Sequence, residues 1–183
     1  MKATMMSGGS NEWRTPNEIL DLVRAIAPIA YDPATTDENP TSAARFDTAR
    51  TDGLSQDWRE RSGGGLVFVN PPYGRALSNW ARKIASYEDV ETCVLVPART
   101  SPRWFRELHD WCDWRADLHG RLRFVRPDGA PSVSAPFPST MFYRGPRARA
   151  FLAAFRERAT IIPGDRTLAE LVRNAPMDPT HAD

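Results

Sequence analysis

The chain is poor in cysteine and has no long apolar run and no clustered metal ligands. Its 183 residues include 2 cysteines, with no Cys-x-x-Cys or Cys/His spacing around them, so a zinc site or a disulfide framework is not expected. No apolar run approaches the about 18 residues of a membrane span, and residues 1–10 lack the apolar core of a signal peptide. We therefore expect a cytoplasmic protein without metal or membrane contacts, in which Cys93 and Cys112 are buried thiols.

Net charge is also small, but it is unevenly distributed. The formal net charge is +1, yet residues 1–60 carry 6 basic and 10 acidic groups, whereas residues 99–158 carry 12 basic and 6 acidic groups. The excess of positive charge in residues 99–158 favours binding to a polyanion. Nearly all the cations there are arginines, which a GC-rich genome would explain as well as phosphate recognition would.

Alternating strand and helix patterns predict an α/β fold with helices on both faces of a mostly parallel sheet. Strands are predicted at residues 29–31, 66–69, 93–96, 118–125 and 139–143. Helices are predicted after Thr15 and around residues 77–84, 104–108 and 151–155. Thr15 can cap the first helix, with Pro16 in its first turn. The stretch 35–57 is expected to be an irregular polar loop, with one short helical turn or strand near residues 43–46.

The domain organisation is simple. We expect a flexible lead at residues 1–10, a single three-layer α/β/α domain over residues 11–173, and a frayed tail at residues 174–183 that has almost no large apolar side chain. No internal repeat or linker divides the chain.

Asn70-Pro71-Pro72-Tyr73, directly after the apolar run at residues 66–69, is the sharpest local feature. Open α/β sheets bind ligands where their strands end, and the prolines hold the preceding asparagine in an extended conformation. Carbonyl oxygens of Asn70 and Pro71 suit the hydrogens of an amino group on a flat substrate, on which Tyr73 can stack. The structural alternative is a strand that ends in a proline-stiffened turn.

This motif resembles the catalytic motif of S-adenosylmethionine-dependent methyltransferases that modify planar amino or amide nitrogens, chiefly N6 of adenine in DNA. Further segments, in one order over about residues 11–143, resemble the compact phage-type DNA N6-adenine methyltransferases, the phage Dam family. These segments are residues 12–16, 31–39, 52–54, 57–58, 70–74, 95–100 and 135–139. The resemblance implies a Rossmann-like methyltransferase domain, S-adenosylmethionine as cofactor, and DNA as partner. It also implies a flipped adenine as the methyl acceptor and Asn70, Pro71, Pro72 and Tyr73 as the catalytic residues.

The resemblance further implies which residues bind the cofactor. Thr15 and Pro16, beside Trp13, correspond to a turn at a helix N-terminus that meets the methionine carboxylate. Asp32 corresponds to the acid near the ammonium group, with an Asx-turn as the alternative. Asp52 corresponds to the acid that accepts a hydrogen bond from the cofactor's adenine, with a plain Asp-Gly turn as the alternative.

One feature departs from many methyltransferases, because residues 32–36 contain no glycine. The small side chains of Ala34 and Thr35 would let the cofactor approach, and Asn70 would also lie against it. Asp47 and Asp37 are rival candidates for the acid that binds the ribose, and the sequence does not decide between them.

DNA contacts are expected from the basic segment that begins at residue 99. The phosphate candidates are Arg99, Arg103, Arg106, Arg121 and Arg123. Ordinary solvated arginines are the alternative for each of them. Residues 129–139, rich in proline and serine, could form a loop over the site.

Two other functions remain open at this point. The same hydrogen-bond chemistry serves a methyltransferase that acts on cytosine N4 or on a protein glutamine. A DNA-binding relative that has lost catalysis would keep the basic charge but would tolerate replacement of Asn70 or Tyr73, which are intact here.

Overall fold

The computed structural model describes residues 14–125 and 134–175. Its helices are α1 (Asn17–Ile26), α2 (Trp58–Ser62), α3 (Leu77–Ala85), α4 (Arg103–Trp111), α5 (Ala148–Phe155) and α6 (Asp165–Arg173). Its strands are β1 (Ile29–Asp32), β2 (Arg45–Phe46), β3 (Leu66–Val69), β4 (Thr92–Pro97), β5 (Trp114–Leu118), β6 (Ser139–Arg144) and β7 (Ala159–Pro163).

The strands form one sheet in the order β2-β1-β3-β4-β6-β5-β7. The pairs from β2 to β4 are parallel, and the pairs that involve β6 or β7 are antiparallel. Among the described strands, five therefore run in one direction and only β6 and β7 oppose them. This confirms the predicted α/β fold with a mostly parallel sheet.

Strand β3 shows why the sheet needs helices on both faces. All its residues are buried, and successive side chains point to opposite faces. Leu66 and Phe68 belong to the core that also contains residues of α1 and α5, whereas Val67 and Val69 belong to the core that contains residues of α2, α3 and α4. The sheet is thus the middle layer of three.

The connections between strands place a crevice at the carboxyl ends of β1 and β3. β1 and β3 are neighbours, but the chain leaves β1 towards β2 on one side and leaves β3 towards β4 on the other. In open α/β sheets ligands bind outside the carboxyl ends of the strands at such a switch point. Asp32 ends β1 and Asn70 directly follows β3, so both residues lie beside it.

The prediction of a strand at residues 118–125 was wrong. The strand is β5 (Trp114–Leu118), which lies between β6 and β7. Gly120 has a φ of 76° and turns the chain out of the sheet. In the segment that follows, buried Leu122 and Phe124 alternate with exposed arginines, the same period of two that a strand shows.

Several other elements differ from the sequence predictions. Pro16, not Thr15, is the residue that precedes α1, and no side chain caps that helix. The helices α2 and α6 and the strand β7 were not predicted, whereas the short strand β2 falls where a turn or strand was expected. The predicted lead at residues 1–10, Trp13, and most of the predicted tail lie outside the described residues.

Candidate active site

A cavity of about 330 Å³ lies at the switch point of the sheet, a size within the range of small-molecule sites. It is lined by residues that follow β1, β3 and β4. The predicted site residues that line it are Thr15, Asp32, Ala34, Thr35, Asp52, Asn70, Pro71, Pro72, Tyr73 and Arg99. The fold therefore brings to one cavity residues that are up to 84 positions apart in the chain (Thr15 to Arg99).

The side chain of Asn70 is held by a residue from the start of the chain. Its Nδ2 atom donates a hydrogen bond of 3.1 Å to Oγ1 of Thr15, which is only 6% exposed. Because an amide group is planar, this bond puts Oδ1 on the side of the group away from Thr15. A contact across 55 residues thus contributes to the orientation of the Asn70 amide.

Asp32 is a buried carboxylate at the edge of the cavity. It is 2% exposed, and its two oxygens accept hydrogen bonds from the backbone N–H of Ala34 (2.9 Å) and from Oγ1 of Thr41 (2.8 Å). Burial raises the pKa of Asp32 to about 7, although both hydrogen bonds act in the opposite direction. The contact with Ala34 is the Asx-turn that was the structural alternative, and Asp32 lines the cavity as well.

Asp52 reaches the cavity because the next residue is a glycine. A Cβ atom on Gly53 would lie 2.0 Å from the carbonyl oxygen of Pro33, so only glycine permits this close approach. The carbonyl oxygen of Gly53 accepts a hydrogen bond of 2.8 Å from Nε1 of buried Trp58. The Asp-Gly turn therefore lies close against the turn that follows β1 and is held by Trp58 of α2, and the exposed Asp52 lines the cavity there.

Tyr73 belongs to an aromatic wall that the sequence did not reveal. Its ring makes edge contacts with Phe124 (centroids 6.1 Å apart) and Phe137 (5.7 Å). The guanidinium of Arg99 lies 5.6 Å from the centroid of the Phe137 ring. The Tyr73 hydroxyl is buried without a hydrogen-bond partner among the described residues, and burial raises its pKa.

Neither rival for the ribose acid lines the cavity. Oδ2 of Asp47 accepts a hydrogen bond of 2.7 Å from the Tyr31 hydroxyl, and its Oδ1 lies 3.1 Å from Nη2 of Arg61. Both oxygens of Asp47 therefore have structural partners. Asp37 is exposed and pairs with Arg50 at 3.7 Å. Thr48 and Ala49, which follow Asp47 directly, do line the cavity, as do Pro40 and Thr41 between the two acids.

The five predicted DNA-binding arginines have different surroundings. Arg103 and Arg106 are exposed on α4 and pair with carboxylates one turn further along that helix, at 3.0 Å and 3.7 Å. Arg121 and Arg123 are exposed on the segment that follows β5. Of the five, only Arg99 lines the cavity.

Arg14 also lines the cavity and was not predicted as a site residue. Its Nη2 atom lies 3.5 Å from Glu38, and its backbone exchanges two hydrogen bonds with Val125, of 2.9 Å and 3.0 Å. These bonds connect the residues before α1 to the segment that carries Arg121 and Arg123. The sequence feature that could have predicted Arg14 as a site residue is its position in residues 12–16, the segment that resembles the family's first cofactor element.

Other predictions concern chemistry away from the cavity. Cys93 and Cys112 are buried as expected, and burial raises the pKa of both thiols, that of Cys112 to about 12. Within residues 14–125 and 134–175, no group of His, Cys, Asp or Glu is arranged to hold a metal ion. None of the helices given above is long and apolar enough to cross a membrane.

An open sheet with a cavity at its switch point, a buried carboxylate at the end of β1 and an Asn-Pro-Pro-Tyr motif after β3 is consistent with a Rossmann-like methyltransferase. The family model of DNA N-6-adenine-methyltransferase (Dam) matches residues 2–155. The chain belongs to this family and is a DNA adenine N6-methyltransferase. No curated protein matches the chain. Nothing in the structure or in the family match favours cytosine, a protein glutamine or loss of catalysis.

Proposed function

We propose that the methyl donor is S-adenosylmethionine and that it shares the cavity at the switch point with the adenine it methylates. The residues present fit this donor, because the carboxylates of buried Asp32 and exposed Asp52 line the cavity beside the cationic Arg14 and Arg99, and a carboxylate can pair with the ammonium group of the donor. The donor supplies an electrophilic methyl group on a sulfonium. The observation that carries the proposal is that Asp32, Asp52 and the Asn70 motif line one cavity.

Several residues of the cavity have a proposed partner on the donor. Ionised Asp32 would pair with its ammonium group, and Asp52 would accept a hydrogen bond from its adenine amino group. The turn at Thr15 and Pro16 and the first N–H groups of α1 would meet its carboxylate, since a helix N-terminus favours an anion. Ala34 and Thr35 would leave room for the ligand beside β1. Trp13 stays a prediction.

Asn70 and Pro71 would activate the acceptor nitrogen. The lone pair of an exocyclic adenine amine is delocalised into the ring, which makes the nitrogen a poor nucleophile. Oδ1 of Asn70 and the carbonyl oxygen of Pro71 would accept its two hydrogens and so favour the geometry in which the lone pair is available. The adjacent Pro72 restricts the backbone, so these acceptors are positioned before the substrate binds.

Tyr73 would support an adenine that leaves the duplex. An enzyme that acts on a base takes it out of the stack, which costs a few kcal/mol. Within the aromatic wall, Tyr73 and Phe137 line the cavity and provide apolar surface that can replace part of the lost stacking, while Phe124 is buried against the Tyr73 ring. The cytoplasm is the location we propose, the host cytoplasm if a phage encodes the protein, because the substrate is DNA.

The product of the reaction tests the proposal directly. Duplex DNA is incubated with the protein and with methyl-labelled S-adenosylmethionine, digested to nucleosides, and examined by mass spectrometry. We expect labelled N6-methyladenine and no labelled cytosine. Label on cytosine would refute adenine as the proposed methyl acceptor. If labelled DNA formed equally well without the protein, methyl transfer by the protein would be refuted.

For DNA binding we propose Arg99, Arg121 and Arg123 as the main phosphate contacts. Arg103 and Arg106 contribute less, because carboxylates on their own helix offset part of their charge. All five arginines belong to the segment with excess positive charge.

Joint replacement of Arg121 and Arg123 by alanine should weaken DNA binding at every sequence tested. We expect the slope of log affinity against log salt concentration to decrease in magnitude by about 2, since each phosphate contact contributes about 0.9. Fluorescence anisotropy with labelled duplexes at several salt concentrations measures this slope. The matched control replaces Arg82 and Arg149, exposed arginines on α3 and α5 that do not line the cavity. An unchanged slope in the Arg121/Arg123 variant would exclude these two residues as phosphate contacts.

A further inference from the structure

Thr15 makes a contact that its local sequence does not explain. A threonine before a proline at the start of a helix is expected to cap that helix, but α1 begins after Pro16 without any side-chain cap. The Thr15 hydroxyl instead accepts the hydrogen bond from Nδ2 of Asn70 at 3.1 Å. Its oxygen is therefore used by the residue that we propose to activate the acceptor amine.

The direction of this bond matters because the two ends of an amide have opposite hydrogen-bonding properties. Only the carbonyl oxygen can accept a hydrogen from the adenine amine, while an amide rotated by half a turn would present its own NH₂ group to another donor. The bond to Thr15 keeps the NH₂ end of Asn70 away from that position. Without an acceptor at residue 15, this contact would no longer select the productive orientation.

Thr15 is itself fixed on both sides. The residue before it, Arg14, exchanges two backbone hydrogen bonds with Val125, and Pro16 restricts the backbone of Thr15 to extended conformations. The threonine is buried, and its β-branched side chain has few rotamers. Its hydroxyl is thus a rigid reference point against which the Asn70 amide can be oriented.

We propose that Thr15 is a positioning residue of the methyl-transfer reaction, whose hydroxyl oxygen orients the Asn70 amide so that Oδ1 meets the adenine amine. This inference rests on the function proposed for Asn70. It assigns the Thr15 side chain to the acceptor half of the reaction, whereas the donor contact proposed above uses the backbone of the turn.

The Thr15→Val variant separates these two roles, because valine has nearly the same shape and keeps the backbone but offers no acceptor. We expect the rate constant for methyl transfer in a single turnover to fall by about fivefold to tenfold, the effect of losing one hydrogen bond. Donor affinity, measured by calorimetry, should stay within about twofold of wild type. The Thr15→Ser variant keeps the hydroxyl and should restore the rate to within about twofold.

Three results would overturn the proposal. They are a wild-type rate in Thr15→Val, equal losses in Thr15→Val and Thr15→Ser, and a loss confined to donor affinity. Thermal unfolding of both variants identifies any general loss of folding. A wild-type rate in Asn70→Ala would refute the role of Asn70 itself, whereas a large loss in Asn70→Ala with a wild-type rate in Thr15→Val would refute only the role of Thr15.

A double-mutant cycle adds a readout that a purely structural role would not change. Asn70→Asp replaces the amide by a carboxylate, whose two oxygens both accept hydrogen bonds. Rotating this side chain by half a turn therefore changes nothing, and Thr15 has no orientation to select. In that background Thr15→Val should change the single-turnover rate by less than about twofold. Equal effects of Thr15→Val in both backgrounds would contradict the proposed positioning role.

Discussion

Replacing Asn70 by alanine should lower the single-turnover rate of methyl transfer by about 100-fold or more while the protein still binds its donor. The substitution removes the side-chain oxygen that accepts a hydrogen from the amine, and the loss concerns an interaction made in the transition state. Asp32 and Asp52 stay in place, so donor affinity measured by calorimetry should change by less than about threefold.

The matched control for this experiment is Asn79→Ala. Asn79 lies exposed on α3 and does not line the cavity, so its replacement should leave the rate unchanged. Thermal unfolding of both variants should be close to that of the wild type. A rate within about threefold of wild type in Asn70→Ala would exclude the proposed activation of the amine.

Replacing Asp32 by asparagine should stabilise the protein without ligand at pH 8 and weaken donor binding at the same time. Burial raises the pKa of Asp32 to about 7, so the folded protein retains a proton that the unfolded chain loses near pH 4. The contribution of Asp32 to the free energy of unfolding is therefore most favourable below pH 4, decreases as the pH rises towards 7, and stays unfavourable above it.

A neutral asparagine removes this pH dependence. Its amide can donate to Thr41 Oγ1, whose hydroxyl also lies 3.2 Å from an oxygen of Asn39, while its carbonyl accepts from the N–H of Ala34. We expect the melting temperature of the variant at pH 8 to rise by about 5 °C or more, with little change at pH 4. Thermal unfolding of both proteins between pH 4 and pH 8 measures the effect.

Donor binding should respond in the opposite direction. In the wild type, affinity for S-adenosylmethionine should increase from pH 5.5 to about pH 7 as Asp32 ionises and should level off above that pH. In Asp32→Asn the affinity should be at least about tenfold lower at pH 8 and nearly independent of pH. The reason is that the asparagine side chain carries no charge with which to pair with the ammonium group of the donor. Asp52→Asn, at an exposed position in the same cavity, is the control for the stability effect. A variant less stable than wild type at pH 8, or one with wild-type donor affinity, would contradict the role of Asp32.

Two of the sequence predictions, the strand that failed and the ribose acid that stayed undecided, depend on long-range contacts. Residues 121–124 alternate exposed arginines with buried Leu122 and Phe124, which is also the pattern of an edge strand. They do not join the sheet, because Gly120 turns the chain away after β5 and the segment pairs elsewhere, with hydrogen bonds from Ala135 to Leu122 and between Val125 and Arg14. The choice between Asp37 and Asp47 could not be made locally either, because the partners that occupy Asp47 are Tyr31 and Arg61, 16 and 14 residues away.

By itself the sequence determined the features that depend on neighbouring residues. These are the buried strand before Asn70, the restriction of its backbone by two prolines, the helical faces, the α/β class and the resemblance to the Dam family, which the family match confirms. The tertiary structure alone decided which polar groups share a cavity and which atoms they use. Thr15 is the clearest case. Its local sequence predicts a helix cap, and only the fold brings its hydroxyl to Asn70 after β3, since a hydrogen bond across 55 residues leaves no local pattern.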